Sequence, residues 1–588
     1  MRGRHRAGRG AGGKLQAWPG DRRHRRRAAR LRRAAADAGQ GHHPRAGDRG
    51  DARRLFGGGE AADRRPARVE ARPNRHRRER RPDHHVRQGP RRPGARVRRR
   101  ALRRHGDGRG RPGGAAEQRA LVGIARHIRL GRRDLRPARR PRFRRQHRRR
   151  PVREDHSVGG GRAVIESSAR WLTAVESQRL VAKGELDPQE VVRAHLDAID
   201  RYDGQIHAFI HVDREAKTAA GATVAVKDSQ PVKGMPYTYA TRSWRERVAD
   251  EDAVGVARAR SAGAAILGKT NLPELAASIG TNNELFGPTH NPWRHGYTPG
   301  GSSGGSGAAV AAGMCSVAVG GDTGGSIRIP ASCCGVVGLR PTPDRIPCEE
   351  VDVTVLQSRG PMARTVDDAR WLFSVMTETR EGLVRYRRDR RIGFTADGAH
   401  PACAAAARRA ADALEAAGYR MEEMTWDPDP VTEGYGTVRR ASMASFPADL
   451  STFGAGIQKL AAEGRDLKAM DYFHAFEKAT EAANRAVGLP LQTRLDFILT
   501  PTLGLPPMRI EDVPAFLGED WARYVRFVLP VTFARVPAIS IPAGVHEGLP
   551  IGVQLVGRFA EEYDLLQLAK ELEGMPGFGF RRPPAVDG

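Results

Sequence analysis

Cysteine is scarce in this 588-residue chain. Its five copies, Cys315, Cys333, Cys334, Cys348 and Cys403, form no C-x-x-C pair and have no histidine at zinc-site spacing. A disulfide-stapled scaffold and a zinc module are thereby excluded, and the cysteines read as small buried hydrophobes of a reducing cytoplasmic compartment. No apolar run approaches the roughly 20 residues of a membrane span, so no membrane partner is expected. The histidines beyond position 160 show no H-E-x-x-H spacing; no metal and no cofactor are expected.

Lysine is almost missing from one stretch and missing from another, and each scarcity excludes something different. Residues 1–150 contain a single lysine, Lys14, among 51 Lys and Arg, against 12 Asp and Glu. The remainder of the chain holds 49 basic and 55 acidic residues, so the formal charge of +33 belongs entirely to the front. A phosphate-tracking tail mixes Lys with Arg and often adds stacking aromatics. A secretory signal needs an apolar centre, and a transit peptide is rich in serine. The segment shows no helical or alternating period and is too polar to offset its chain entropy. Residues 1–160 are therefore expected to be an Arg-rich, low-complexity, disordered segment. Its composition is that of GC-rich DNA read out of frame or upstream of a true start, the reading preferred over a basic nucleic-acid-binding tail. A folded domain is expected over residues 163–588, with no nucleic acid bound by that core.

The second stretch, which has no lysine, is Thr298 to Thr342, TPGGSSGGSGAAVAAGMCSVAVGGDTGGSIRIPASCCGVVGLRPT. A phosphate loop, which needs Gly-Lys-Ser/Thr, is ruled out. A dinucleotide fingerprint fails because no strand precedes Gly305-Ser-Gly307. Gly301 to Gly305 fits a G-x-S-x-G nucleophile elbow with Ser303 as nucleophile, yet HGYTPG before it is polar and turn-forming where an elbow needs a buried strand. What remains is two glycine-rich loops, around Ser302–Ser303 and around Ser326, flanking small apolar residues. Glycine at that density lets several backbone N–H groups aim at one point, as an anion or oxyanion site requires.

These loops resemble the signature of the amidase signature family, and the resemblance extends from about Leu172 to the C-terminus. It implies a Ser-Ser-Lys triad on three matching positions: Lys227 in VAVKD, Ser302 in GGSSGG, where the preceding peptide is cis, and Ser326 in GDTGGSIR. They lie 75 and 24 residues apart. By resemblance Ser326 is the nucleophile of an acyl-enzyme, Ser302 relays protons and Lys227 is the base. A serine hydroxyl can relay because it donates and accepts at once. Lysine can accept a proton only when neutral, so its pKa must fall from about 10.4 towards neutrality. The N–H groups of Thr323, Gly324, Gly325 and Ser326 would form the oxyanion hole. Ser303, Asp322 and Arg328 would support the loops, the last two as an internal ion pair. Lys269 is a second candidate base, which the resemblance assigns instead to a structural GKTN position.

Local patterns give the expected fold. Asp187-Pro188-Gln189-Glu190 predicts a helix start, with Val192, Leu196, Ile199 and Tyr202 as its apolar stripe. TVAVK (223–227) predicts a strand, residues 253–264 a helix, and AAILGKTN the next strand. Beyond the signature, RIGFTAD, residues 495–502 and 536–544, and IGVQLVG predict strands, alternating with helices around 404–417 and over EEYDLLQLAKELE. Only DREAKTAAGA separates HAFIHV from the lysine strand, where the family has a longer helical segment, so a helix there is in doubt. The whole predicts one large α/β domain of the amidase signature fold, a mixed central sheet covered by helices on both faces. The expected function is hydrolysis of a small-molecule carboxylic amide, with a homodimer left open. The alternative is the glutaminase subunit of a tRNA-dependent amidotransferase. That subunit carries an Arg/Gly/Tyr-rich stretch in its C-terminal half, whereas residues 467–502 here follow the generic amidase pattern.

Overall fold

Val224 and Val226 face one apolar cluster while Ala225, between them, faces another; Val317 and Val319 flank Ala318 in the same way. Side chains of a strand alternate between faces, so a sheet with two apolar faces must be covered on both. A computed structural model describes residues 169–348, 354–379, 389–446 and 449–586. The expectations for residues 1–160 and for the domain boundary near 163 lie outside the described residues.

Eleven strands of the described residues form one sheet: β1 Phe209–Val212, β2 Thr223–Lys227, β3 Ala265–Thr270, β4 Val317–Asp322, β5 Val337–Arg340, β6 Ser358–Ala363, β7 Arg391–Phe394, β8 Arg420–Glu423, β9 Phe497–Pro501, β10 Ala538–His546 and β11 Leu549–Val556. Their order is β1-β3-β2-β4-β6-β5-β10-β11-β9-β7-β8. β2 runs parallel to β3 and β4, and β7 parallel to β8 and β9, while the other pairings are antiparallel. The sheet is mixed, as expected.

The helices that matter here are α1 Pro188–Ile206, α2 Val254–Ser261, α3 Gly304–Ala311, α4 Arg328–Cys334, α5 Val366–Thr377, α6 Pro401–Ala416, α7 Asp429–Ala444 and α8 Glu562–Glu573. α1 starts where the sequence places it: the Asp187 carboxylate accepts from Gln189 N at 3.1 Å and Pro188 opens the first turn. Val192 and Ile199 are buried beneath it with Ala308–Ala312 of the α3 region, on the Ala225 face. α2, α5, α6 and α8 cover the other face through residues such as Val256, Phe373, Ala410 and Leu568. Burying each large aliphatic side chain of this kind contributes about 1.5–3 kcal/mol. The short segment after β1 forms no helix; Thr218 Oγ1 and the amides of Ala219 and Ala220 all donate to Gly263 O, turning the chain directly into β2.

β2 and β4 are adjacent and parallel, so their C-terminal ends open at the same edge of the sheet. Ligands of α/β sheets bind in the crevice at such ends. Lys227 is the last residue of β2, Asp322 the last of β4, and Ser326 sits in the turn between β4 and α4. Ser302 and Ser303 lead directly into α3.

Candidate active site

Lys227 is 2 % exposed, and its Nζ donates to Ser302 Oγ at 2.7 Å. A second, longer contact of 3.5 Å reaches Gly321 O. Burial strips water from the ammonium and is the main reason its pKa falls to about 7; the carboxylate of Asp322 pulls it back up and the guanidinium of Arg439 adds to the fall. A neutral lysine is therefore populated near physiological pH.

Ser302 is itself 1 % exposed and follows a cis Gly301–Ser302 peptide. Ser326 differs: it is only half-buried and opens onto a cavity. The two serine loops are tied together by Ser303 N, which donates to Ser326 O at 3.1 Å. No hydrogen bond joins Ser302 Oγ to Ser326 Oγ; both hydroxyls line the same cavity with Lys227. Ser303 Oγ is turned away, donating to Gly321 O at 3.2 Å and accepting from Gly321 N at 3.3 Å, and it is fully buried. That hydroxyl fixes one loop to β4 and has no exposed surface, which argues against the elbow reading of Ser303.

Asp322 and Arg328 brace the second loop as a fully buried pair, Arg328 Nε and Nη2 donating to the carboxylate at 2.9 and 3.0 Å. Arg340 adds a further bond to Asp322 Oδ1 at 3.1 Å, a partner the sequence did not suggest. Burial opposes the charge on Asp322, but the two guanidiniums and the Gly325 N–H outweigh it and hold the carboxyl well below the usual range. Arg328 Nη1 reaches on to Gln554 Oε1 at 2.7 Å, fixing the loop to β11. Gly325 N donates to Asp322 Oδ1 at 2.7 Å, so its N–H is already committed to the brace. Of the four N–H groups expected to form an oxyanion hole, those of Thr323, Gly324 and Ser326 remain without partners among the described residues. Gly325 keeps its place through a φ of 107°, closed to most side chains. Gly324 keeps its place through crowding, since a Cβ there would stand 2.4 Å from Tyr435 Oη.

The cavity has a volume of about 390 Å³. One wall is the catalytic loops; another is α7, whose Tyr435, Val438, Arg439, Ser442 and Met443 recur at three- and four-residue spacing on one helical face. Trp244, Tyr239 and Phe446 add aromatic surface. The sequence reading did not find this wall, although the i, i+3, i+4, i+7 pattern of 435–442 was available to mark the helix. Lys269 lies elsewhere: it is buried on β3, donating to Asp228 Oδ1 at 3.0 Å and to Pro236 O at 2.7 Å, and it does not line the cavity. Among the described residues no group of three or more His, Cys, Asp or Glu is disposed to hold a metal. Four of the cysteines are buried and none is paired; burial pushes the thiols of Cys315, Cys333 and Cys403 up to about 12.

The chain as a whole has counterparts among known proteins. The Amidase family model matches residues 190–566. A glutamyl-tRNA(Gln) amidotransferase subunit of Synechococcus sp. (strain CC9311) is 33% identical over 486 residues, covering 71% of this chain and 98% of the relative. The solved structure of 6-aminohexanoate cyclic dimer hydrolase in complex with substrate aligns with a TM-score of 0.65 at 28% identity, over 71% of this chain and all (100%) of the other. Native peptide amidase from Stenotrophomonas maltophilia aligns with a TM-score of 0.60 at 26% identity, over 71% and 99% of the two chains. A family match across most of the described body, with relatives spanned end to end, leaves one assignment: the chain belongs to the amidase family, the amidase signature hydrolases of amide C–N bonds.

Proposed function

We propose that the protein is a stand-alone amidase that converts a carboxylic amide to a carboxylate and ammonia or an amine. The observation that carries this reading is the 2.7 Å contact between buried Lys227 and Ser302, at the floor of a cavity onto which Ser326 opens. Neutral Lys227 takes a proton from Ser302 as Ser302 takes one from Ser326, whose Oγ attacks the amide carbonyl carbon. The oxyanion is received by the N–H groups of Thr323, Gly324 and Ser326; each such donor is worth about 3 kcal/mol in the transition state. Ser302 then returns a proton to the leaving nitrogen, the C–N bond breaks, and water hydrolyses the acyl-Ser326 ester along the same proton path. The relay requires the two hydroxyls to come within hydrogen-bond distance in the substrate complex, where catalytic hydrogen bonds often tighten.

A second reading, the glutaminase subunit of an amidotransferase, is favoured by one observation, the 33% identity to a protein of that name. Two measurements separate the readings. Purified protein should release ammonia from simple amides with neither tRNA nor any partner protein added, and a fluorophosphonate should label Ser326 and not label Ser326→Ala. Turnover only with added partner proteins and tRNA would establish the second reading; labelling at Ser303 would overturn the triad.

A further inference from the structure

The cavity wall carries charge of one sign. Arg439 and Arg247 line it together with Lys227, and no Asp or Glu stands among its described lining residues. The two guanidiniums are not equivalent. Arg247 is exposed and lies over the Tyr237 ring at 4.1 Å from its centroid. Arg439 rises from α7 one turn beyond Tyr435 and one turn before Ser442 and Met443, on the face that closes over the catalytic loops. Its Nη2 is buried and has no hydrogen-bond partner among the described residues. The next residue, Arg440, shows what this helix does with a guanidinium it needs only for structure: Arg440 Nε is paired with Glu463 at 2.7 Å.

A buried charged donor without an acceptor is costly, and the protein leaves this one open at the site of reaction. The group that matches a planar guanidinium is a carboxylate, which it binds through parallel, charge-assisted hydrogen bonds. Leu275, Val438, Met443 and Phe446 supply the apolar surface for a short hydrocarbon spacer. With no carboxylate among the described lining residues, nothing there would neutralise an ammonium, so an anionic substrate fits better than a zwitterionic α-amino amide.

Resting on the amidase reading above, we infer that Arg439 is the specificity-determining residue of this site and that the substrate is an anionic amide, carrying a free carboxylate a few bonds from the scissile carbonyl. The carboxylate sits on Arg439 while the amide reaches Ser326.

The test uses matched pairs: the monoamides of succinate, glutarate and adipate and the N-acetyl derivatives of β-alanine and 4-aminobutyrate, each beside an uncharged isostere with a branched alkyl end. In at least one pair, kcat/KM should favour the anion about 10- to 100-fold, the value of a charge-assisted hydrogen bond. Arg439→Gln should bring that ratio to about one, and Arg439→Lys should restore part of it. Because the ratio is taken within each variant, any change in overall rate cancels, and fluorophosphonate labelling of Ser326 shows that the variant is folded at the site. Loss of labelling in the unaltered protein would sink the amidase reading and this inference with it. Normal labelling and turnover of neutral amides, with no preference for any anion or with a preference that survives Arg439→Gln, would overturn the inference alone.

Discussion

At the residue scale, the chemistry turns on how far burial moves one proton. Lys227 has its pKa lowered to about 7, by desolvation above all. A base must be unprotonated, so kcat/KM should climb about tenfold per pH unit below that value and level off above it. Two charged groups act on it, Asp322 at the end of β4 raising the pKa and Arg439 on α7 lowering it. Arg439→Gln should therefore move the acidic limb to higher pH. Lys227→Ala should lower kcat/KM by about 10²–10⁴-fold and erase the limb, while Ser326 stays weakly reactive to fluorophosphonate. A limb that persists unchanged in Lys227→Ala would assign it to another group. The three positions proposed for this relay could be picked out of the sequence because each lies in a short motif with fixed spacing. Arg439 and Tyr435 were not. They reach the cavity from more than a hundred residues downstream, and helical periodicity marks which side chains share a face without saying what that face covers.

At the scale of elements, the second lysine shows how the site is framed. Lys269 on β3 is 0 % exposed and spans to Asp228, just past β2, while Asp228 also accepts from Thr238 N at 2.9 Å and Thr238 Oγ1 at 2.6 Å. Desolvation lowers the lysine's pKa and the adjoining carboxylate opposes that. Breaking a buried pair by removing one partner strands the other charge and costs about 3–5 kcal/mol. Lys269→Met should accordingly lower the free energy of unfolding by that amount, read as a lower urea midpoint, and retain most of the turnover of whatever fraction is folded. An unchanged midpoint with abolished activity would make Lys269 a participant in the reaction. The elements themselves were readable to different degrees. β2 and the start of α1 announce themselves through β-branched alternation and through the Asp187-Pro188 cap. β8, RMEE, has neither alternation nor buried residues at its ends, and it becomes a strand because β7 offers an unpaired edge. Such a strand is a property of its neighbour, and local sequence does not encode it.

At the scale of the whole molecule, the question is what the catalytic body needs from the Arg-rich residues before it. The start of the described body is held by its own far end: Arg170 Nη2 donates to Val586 O at 2.6 Å, Trp171 packs 6.1 Å from the Phe580 ring, and Arg582 lies over Trp171 at 4.8 Å. Arg364 Nη2 adds a bond to Leu172 O at 2.7 Å. These contacts join residues some 190 to 420 positions apart without drawing on anything before Ala169. Among the described residues the cavity, too, is lined from Lys227 onward. A chain beginning at Ala163 should therefore unfold cooperatively with a urea midpoint and a kcat/KM matching the full-length protein. Its charge would nonetheless invert, because 51 of the 100 basic residues leave with residues 1–150. Ion-exchange retention should switch from cation to anion resin at pH 8, while turnover stays the same. Any attraction of the full chain for polyanions should vanish with those residues, since that attraction scales with the number of basic contacts. If the shortened chain instead aggregates or loses turnover, the Arg-rich segment is part of the folded enzyme and the boundary near Ala163 is wrong.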